Sequence, residues 1–347
     1  AITGSNGKTT TKDIVTSILE TKFKVHKTQG NFNNELGVPL TILAAPEDSD
    51  ILVLEMGADN FGQLDFLSKL VKPDYTIITN IGESHIEFFG SRAGIAKAKF
   101  EITNGMKKDG FFVYNGDEPL LKELVENSSI NATSCGENSY NDIILENYTI
   151  TRDKIDFKLN IDKNSFSTTL KGKHNLFNIM FAVAIAKKIG LANEEIRHAI
   201  DNISKITNMR LESITYGEDS LIINDAYNAS PTSMKAAVDV ISDLNDFEFK
   251  TLVLGSMFEL GPNEVEYHSG IGTYINNNSR GINLVISVGT LAKNITDNIN
   301  NKDINTLHFS TVEEVTDYLK ANKHKNEVIL FKASRSMKLE TIINDIK

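Results

Sequence analysis

One cysteine, Cys135, stands in 347 residues, so no disulfide can close within the chain and no paired-cysteine metal site can form. Such sparing use suits a reducing compartment, and Cys135 itself reads as a small buried hydrophobe. Long apolar runs are missing too. No stretch approaches the roughly 20 residues that cross a bilayer, and the N-terminus lacks the charged-then-apolar order of a secretory signal. There is no excess of positive charge: 36 Lys and Arg face 46 Asp and Glu, a formal net charge of -10, which repels a long polyanion. Internal repeats and low-complexity tracts are absent as well. These absences point to a cytoplasmic protein with no membrane insertion and no nucleic-acid partner.

What is present is a chain that is 40% hydrophobic and long enough for two or three domains. The first half alternates short β-branched runs (residues 23–25, 51–55, 75–80 and 111–114) with helical patterns, the mark of a mostly parallel sheet covered on both faces. Residues 129–170 break this rhythm. They carry extended segments at 148–151 and 154–161 with no helix between, which predicts an antiparallel edge or a small added sheet. Helices are expected at 175–189 and 193–203. Residues 204–208 show no periodicity, and a second alternation follows, with strands at 221–225, 251–255, 284–288 and 328–332 and helices near 233–244 and 312–320. The expectation is an α/β protein: over residues 1–208 a domain that opens on Gly4-Ser5-Asn6-Gly7-Lys8-Thr9, the glycine-lysine turn of a P-loop ATPase, and over 209–347 a Rossmann-like, doubly wound domain. No G-x-G-x-x-G turn occurs in the second domain, so dinucleotide binding is not expected there.

Gly4-Ser5-Asn6-Gly7-Lys8-Thr9-Thr10 has the parts of a phosphate cradle. Glycines let backbone N–H groups converge, lysine meets phosphate oxygens, and a threonine hydroxyl can hold Mg²⁺. The loop is two residues shorter than the general Walker pattern. It nevertheless follows strand residues and precedes the amphipathic stretch 11–19, the context such a loop needs. Only three residues precede it, which reads as a strand cut short and a chain that is part of something longer. Glu55 closes the apolar run Ile51-Leu52-Val53-Leu54, which puts a carboxylate at the mouth of a parallel sheet, where Mg²⁺ could meet it. Two further stretches follow strands or sit on a helix: Thr79-Asn80-Ile81-Gly82-Glu83-Ser84-His85-Ile86-Glu87, and Ala96-Lys97-Ala98-Lys99. Alone, a loop histidine or a lysine on an alanine-rich helix is an ordinary solvated residue.

Taken in order, these motifs resemble the Mur ligases, the ATP-dependent amino-acid ligases of peptidoglycan synthesis. The likeness continues through Gly172-Lys173-His174-Asn175-Leu176-Phe177-Asn178, Asn224-Asp225-Ala226-Tyr227-Asn228-Ala229-Ser230-Pro231 and Lys332-Ala333-Ser334-Arg335-Ser336-Met337-Lys338, and so spans nearly the whole chain. The stretches 29–41, 55–58 and 224–234 are most similar to the members that add D-alanyl-D-alanine to UDP-N-acetylmuramoyl-tripeptide. A D-N-P-R motif, the mark of members that add diaminopimelate, is absent. The N-terminal UDP-binding domain usual in the family has no counterpart in the sequence. Other readings are a folylpolyglutamate synthase-like or lipid II-amidating relative, an inactive ATP-binding paralogue, and a regulatory GTPase, the last lacking any N-K-x-D motif.

The resemblance implies roles residue by residue. Gly4, Ser5, Asn6, Gly7, Lys8, Thr9 and Thr10 would cradle ATP, with Asn175 and Asn178 meeting adenine and Arg210 and Asp225 reaching the nucleotide from the C-terminal domain. Thr9, Glu55, His85 and Lys99, the last as a CO₂-derived carbamate, would hold Mg²⁺, two ions in all; Lys8, His85 and Lys99 form the catalytic group. Asn31, Asn33 and Asn34 would bind substrate, Tyr227, Asn228, Ser334 and Arg335 would orient the second substrate, and the protein is expected to be a monomer. The implied chemistry is carboxylate attack on the γ-phosphate of ATP, giving an acyl phosphate. The dipeptide amine then displaces phosphate. Ser256 stands where the family pattern has aspartate, Asn208 where glycine is commoner, and Ala333 and Ser336 where glycines flank Ser334-Arg335. Such changes matter wherever the backbone needs positive φ.

Overall fold

The computed structural model describes residues 1–203 and 207–347. The chain divides into two compact units, Ala1–Thr207 and Asn208–Lys347. The aperiodic stretch 204–208 falls partly outside the described residues.

In chain order the first unit contains β1 (Ile2–Thr3), α1 (Lys8–Leu19), β2 (Val25–Lys27), α2 (Gly37–Leu43), β3 (Ile51–Val53), α3 (Gln63–Val71), β4 (Tyr75–Ile78), α4 (Ile86–Phe89) and α5 (Arg92–Phe100). It continues with β5 (Phe111–Asn115), α6 (Pro119–Glu126), β6 (Ala132–Gly136), β7 (Ile143–Ile150), β8 (Ile155–Leu159), β9 (Phe166–Thr168), α7 (His174–Ile189) and α8 (Asn193–Asp201). The main sheet runs β1-β4-β5-β6-β7-β8-β9. Pairing is parallel from β1 to β7 and antiparallel from β7 to β9. The helix-free segment is therefore an edge of the main sheet and not a separate one. β2 and β3 pair in parallel, and a parallel bridge between Ile2 and Glu55 brings the chain beyond β3 against β1.

Two cores cover the two faces of this sheet. α1, α7 and α8 build one around Ile14, Ile18, Phe157 and Phe181. The other gathers Leu54, Met56, Leu64, Ile78, Ile95 and Phe112. α7 is buried almost all round from Asn175 to Ala186, as expected of a helix wedged between layers. Each fully buried Leu, Ile or Phe contributes about 1.5–3 kcal/mol.

The second unit contains β10 (Glu212–Tyr216), β11 (Ser220–Asn224), α9 (Pro231–Asp243), β12 (Phe249–Gly255), α10 (Glu264–Asn278), β13 (Leu284–Val288), α11 (Lys293–Asp297), β14 (Asn305–Phe309), α12 (Val312–Ala321), β15 (Glu327–Lys332) and α13 (Glu340–Ile346). Its sheet order is β10-β11-β15-β12-β13-β14, parallel except for the β10–β11 hairpin. All five residues of β13 and all six of β15 are buried, which is why each carries a continuous apolar run, at 284–286 and 328–331.

Several expected boundaries move. The strand expected at 23–25 forms at Val25–Lys27, because Lys24 gives its carbonyl to Asp50 and Ile51 before pairing begins. The expected 51–55 strand ends at Val53, with Glu55 keeping only the single bridge to Ile2. β14, α10 and the β10 hairpin strand were not expected from pattern. β14 is only partly buried and carries little alternation. α1 begins at Lys8, three residues ahead of its apolar stripe, since the start is set by Gly7 in the left-handed region. Among the described residues no helix is long and apolar enough to cross a membrane. Cys135 is fully buried, and burial raises its thiol well above the usual range, so it behaves as the hydrophobe expected.

Candidate active site

The loop from Gly4 to Gly7 joins β1 to α1 at the carboxyl end of the parallel strands. Gly4 has φ +147, and a Cβ there would lie 1.9 Å from the Thr79 hydroxyl. The backbone at Gly4 can follow this path only without a side chain. The loop is held from behind by the chain leaving β4: Ser5 N donates to Asn80 O at 3.1 Å, Asn6 N to Asn80 Oδ1 at 2.8 Å, and Thr79 Oγ1 to Asn6 O at 2.5 Å. Thr79 and Asn80 thus shape the loop, a role their position after a strand did not disclose.

Gly7, φ +81, caps α1 without a side-chain acceptor, and the first turn of α1 has no acidic residue. A helix start of this kind favours an anion, through its N–H groups and its dipole. Lys8 folds back to donate to Gly4 O at 2.8 Å. Thr9 is buried at the helix start, and Ser5 Oγ is buried with no partner.

Glu55 lies beside Ile2 and is 2% exposed. Its Oε1 accepts from Asn33 Nδ2 at 3.0 Å, while Oε2 is buried with no hydrogen-bond partner. A partnerless carboxylate oxygen in a buried position is costly. That donor set fits a hard cation, which prefers oxygen ligands and recovers the cost. The chain continues through Met56 and Gly57 to Ala58, whose carbonyl accepts from Lys99 Nζ at 3.2 Å. Lys99 is almost fully buried, and its ammonium lies over the Phe89 ring. Burial lowers its pKa to about 7, helped by the positive charge of Lys8 and opposed by Asp59 and Glu101. His85 heads α4 with a left-handed backbone, φ 62, uncommon for a non-glycine residue. Among the described residues no three His, Cys, Asp or Glu side chains converge on a metal position. Mg²⁺ commonly takes only one or two carboxylates, with water and substrate phosphates supplying the rest.

Asn175 and Asn178 lie on one face of α7, both buried. Asn178 Nδ2 donates to Asn175 Oδ1 at 2.8 Å, and Asn178 Oδ1 accepts from Thr11 at 3.1 Å. A Cβ on Gly7 would stand 2.7 Å from that same Oδ1. The pair therefore braces the back of the loop and α1, and could meet a base only by exchanging these bonds. Asn34 Oδ1 accepts from Gly37 N and Leu36 N and so starts α2, while Asn31 is exposed.

In the second unit Asp225 and Lys332 form the centre of a separate cluster. Lys332, 3% exposed, donates to Asp225 Oδ2 at 2.5 Å and to Asn228 O at 3.1 Å. The motif at 332–338 does not by itself reveal this ion pair with a residue 107 positions away. Arg210 stacks 4.3 Å from the Tyr227 ring, with a buried Nε that has no partner. Its neighbours Met209 and Leu211 both have positive φ, at 63 and 52. Ser334 is buried and its Oγ accepts from Phe258 N at 3.0 Å, whereas Arg335 is exposed and ion-paired with Glu340 at 2.6 Å. None of Asn208, Ala333 and Ser336 has positive φ. The departures from glycine at these three positions impose no backbone strain, and Ala333 packs directly over Gly255.

Comparison with known proteins places these features in a family. Residues 2–186 match the Mur ligase middle domain, and residues 209–335 match the Mur ligase glutamate ligase domain. The UDP-N-acetylmuramoyl-tripeptide--D-alanyl-D-alanine ligase of Bacillus subtilis is 44% identical over 353 residues, covering 99% of this chain and 75% of that protein. The crystal structure of MurF from Acinetobacter baumannii superposes with a TM-score of 0.90 at 30% identity, covering 99% of this chain and 75% of that one. That of MurF ligase from Thermotoga maritima in complex with ADP gives 0.88 at 29% identity, covering 99% and 78%. Matching along nearly its full length in sequence and in structure, the chain belongs to the Mur ligase family.

Proposed function

We propose that this protein is an ATP-dependent amide ligase that joins D-alanyl-D-alanine to UDP-N-acetylmuramoyl-tripeptide in the synthesis of peptidoglycan precursors. The observation that carries the reading at the site is Glu55: a buried carboxylate oxygen without a partner, fixed by the Ile2 bridge beside a glycine loop that opens a helix. We read residues 4–10 as a P-loop and the second unit as Rossmann-like, and we place the reaction in the cytoplasm, in a monomer.

Carboxylates do not react with amines at useful rates, so the tripeptide carboxylate must first take the γ-phosphoryl group of ATP. In that step the carboxylate oxygen forms a bond to phosphorus, the bridging oxygen leaves with ADP, and an acyl phosphate results. Lys8 and the backbone amides of 4–9 neutralise the developing charge, and catalysis is mainly a matter of position. The dipeptide amine then attacks the acyl carbon, loses a proton to solvent, and phosphate departs.

Thr9, Glu55 and His85 would hold Mg²⁺, which when bound would offset the negative charge of the phosphates. Lys99 supplies a further donor after carbamylation: its neutral amine attacks CO₂, a proton leaves, and a buried cation becomes a carbamate anion beside Lys8. The depressed pKa of Lys99 supports this, since the neutral amine is the reactive form. Asn33 bonds Glu55, and Asn31, Asn33 and Asn34 are assigned to the peptide substrate. Arg210 and Asp225 are assigned to the nucleotide, and Tyr227, Asn228, Ser334 and Arg335 to the dipeptide. Asn175 and Asn178 keep an adenine role only if they release their present partners.

The test is phosphate release from ATP with UDP-N-acetylmuramoyl-tripeptide, with and without D-alanyl-D-alanine. Release that needs both, with a matching UDP-linked pentapeptide, supports the assignment. ATP consumed only with another acceptor would refute the substrate, and no consumption despite nucleotide binding would favour an inactive paralogue.

A further inference from the structure

Three loops leave the carboxyl ends of β12, β13 and β15, the edge at which open α/β sheets bind ligands, and polar bonds fasten them together. Ser334 N donates to Ser256 O at 3.1 Å, and Phe258 N donates to Ser334 Oγ at 3.0 Å. Ala292 N donates to Ser256 Oγ at 3.3 Å, so the chain after β13 joins the same knot. Between Ser256 and Phe258 stands Met257, fully buried, and its N–H donates to His268 Nε2 at 2.9 Å.

His268 comes from α10 and is itself fully buried. Its other ring nitrogen, Nδ1, lies 2.6 Å from Glu264 O. A carbonyl can only accept and a backbone N–H can only donate, so the ring is the neutral tautomer with its proton on Nδ1. Both nitrogens are committed to main-chain groups. One bond is internal to the helix, and the other reaches out to the loop that touches Ser334.

We propose that His268 is a positioning residue for the acceptor substrate: through Met257 it fixes the 256–258 loop, whose Phe258 amide sets the Ser334 side chain and the start of the Arg335 turn. This rests on the assignment of Ser334 and Arg335 to the dipeptide. His268 touches no substrate itself. A buried ring with two satisfied backbone bonds holds a loop in one register, and loops displaced by about 1 Å can lose roughly 10²-fold in rate.

The two bonds can be separated by substitution. In His268→Gln the amide oxygen reaches the place of Nε2 and can still accept from Met257. In His268→Asn the amide lies at the level of Nδ1, so the Glu264 bond survives and the Met257 bond is lost. The expected result is a KM for D-alanyl-D-alanine raised about tenfold or more in His268→Asn, near its original value in His268→Gln, with the KM for ATP unchanged in both. Equal dipeptide KM in the two variants, or a parallel rise in the KM for ATP, overturns the proposal. Amide hydrogen exchange at Met257 and Phe258, read without substrate, separates this from failure of the substrate assignment. Faster exchange in the Asn variant than in the Gln variant, in a protein that does not use the dipeptide, keeps the pin and discards the acceptor; equal exchange discards the pin.

Discussion

At the scale of single residues the site is marked by groups that the fold leaves uncomfortable. Glu55 buries a carboxylate oxygen with nothing to accept from, and Lys99 buries an amine whose charged form burial disfavours. Glu55→Gln keeps the size and can keep the Asn33 bond. Its melting temperature should hold or rise, while phosphate release falls by about 10²-fold or more, because the carboxylate proposed to hold Mg²⁺ is lost. Calorimetry and a phosphate assay on the same sample check both halves. Lys99 gives a pH prediction with a definite sign. With a pKa of about 7 the amine is roughly one-tenth neutral at pH 6 and nine-tenths at pH 8. Equilibrated with ¹³CO₂ at a fixed dissolved concentration, the protein should therefore produce a carbamate signal several-fold faster at pH 8 than at pH 6, and Lys99→Arg should abolish it.

At the scale of elements, α1 links the loop to the rest of the unit. Asp13, 1% exposed, accepts from Lys27 at 2.8 Å and from both the N–H and the hydroxyl of Thr207, with Lys12 at 3.6 Å. Burial alone would raise its pKa, yet Lys12, Lys27 and Thr207 together lower it below the ordinary value. The unfolded chain then binds the proton more readily than the folded one. The stabilisation is complete above about pH 4 and is lost as pH falls through the folded-state pKa. Asp13→Asn should cost about 3 kcal/mol at neutral pH, by leaving Lys12 and Lys27 short of a counter-charge. Denaturant titrations should show that gap closing in acid; a gap constant down to pH 2 would contradict the account. At the start of the same helix, Gly7→Ala combines positive φ with a close approach to Asn178. It should weaken ATP binding at least tenfold and lower stability by about 1–2 kcal/mol.

At the scale of the whole molecule, each unit has its own sheet and its own core. Residues 208–347 expressed alone are expected to give a cooperative thermal transition by circular dichroism; a featureless melt would show that the unit cannot fold by itself. The chain spans about three-quarters of the length of the relatives it matches.

Pattern in the sequence determined the buried parallel strands, because runs such as 284–286 of β13 and 328–331 of β15 are apolar on both faces. It also determined the glycine loop, whose residue types are required by its backbone. It could not determine β14 or α10, which are half solvated and carry weak periodicity, nor the exact end of β3. Long-range contacts decided these. The jobs of Thr79, Asn80, Asn178, Lys332 and His268 were likewise hidden, since a hydrogen bond between residues far apart in the chain leaves no local trace. The sequence by itself supplied the chemical groups and their order; only the tertiary structure decided which of them are buried, which are left without a partner, and therefore which can act.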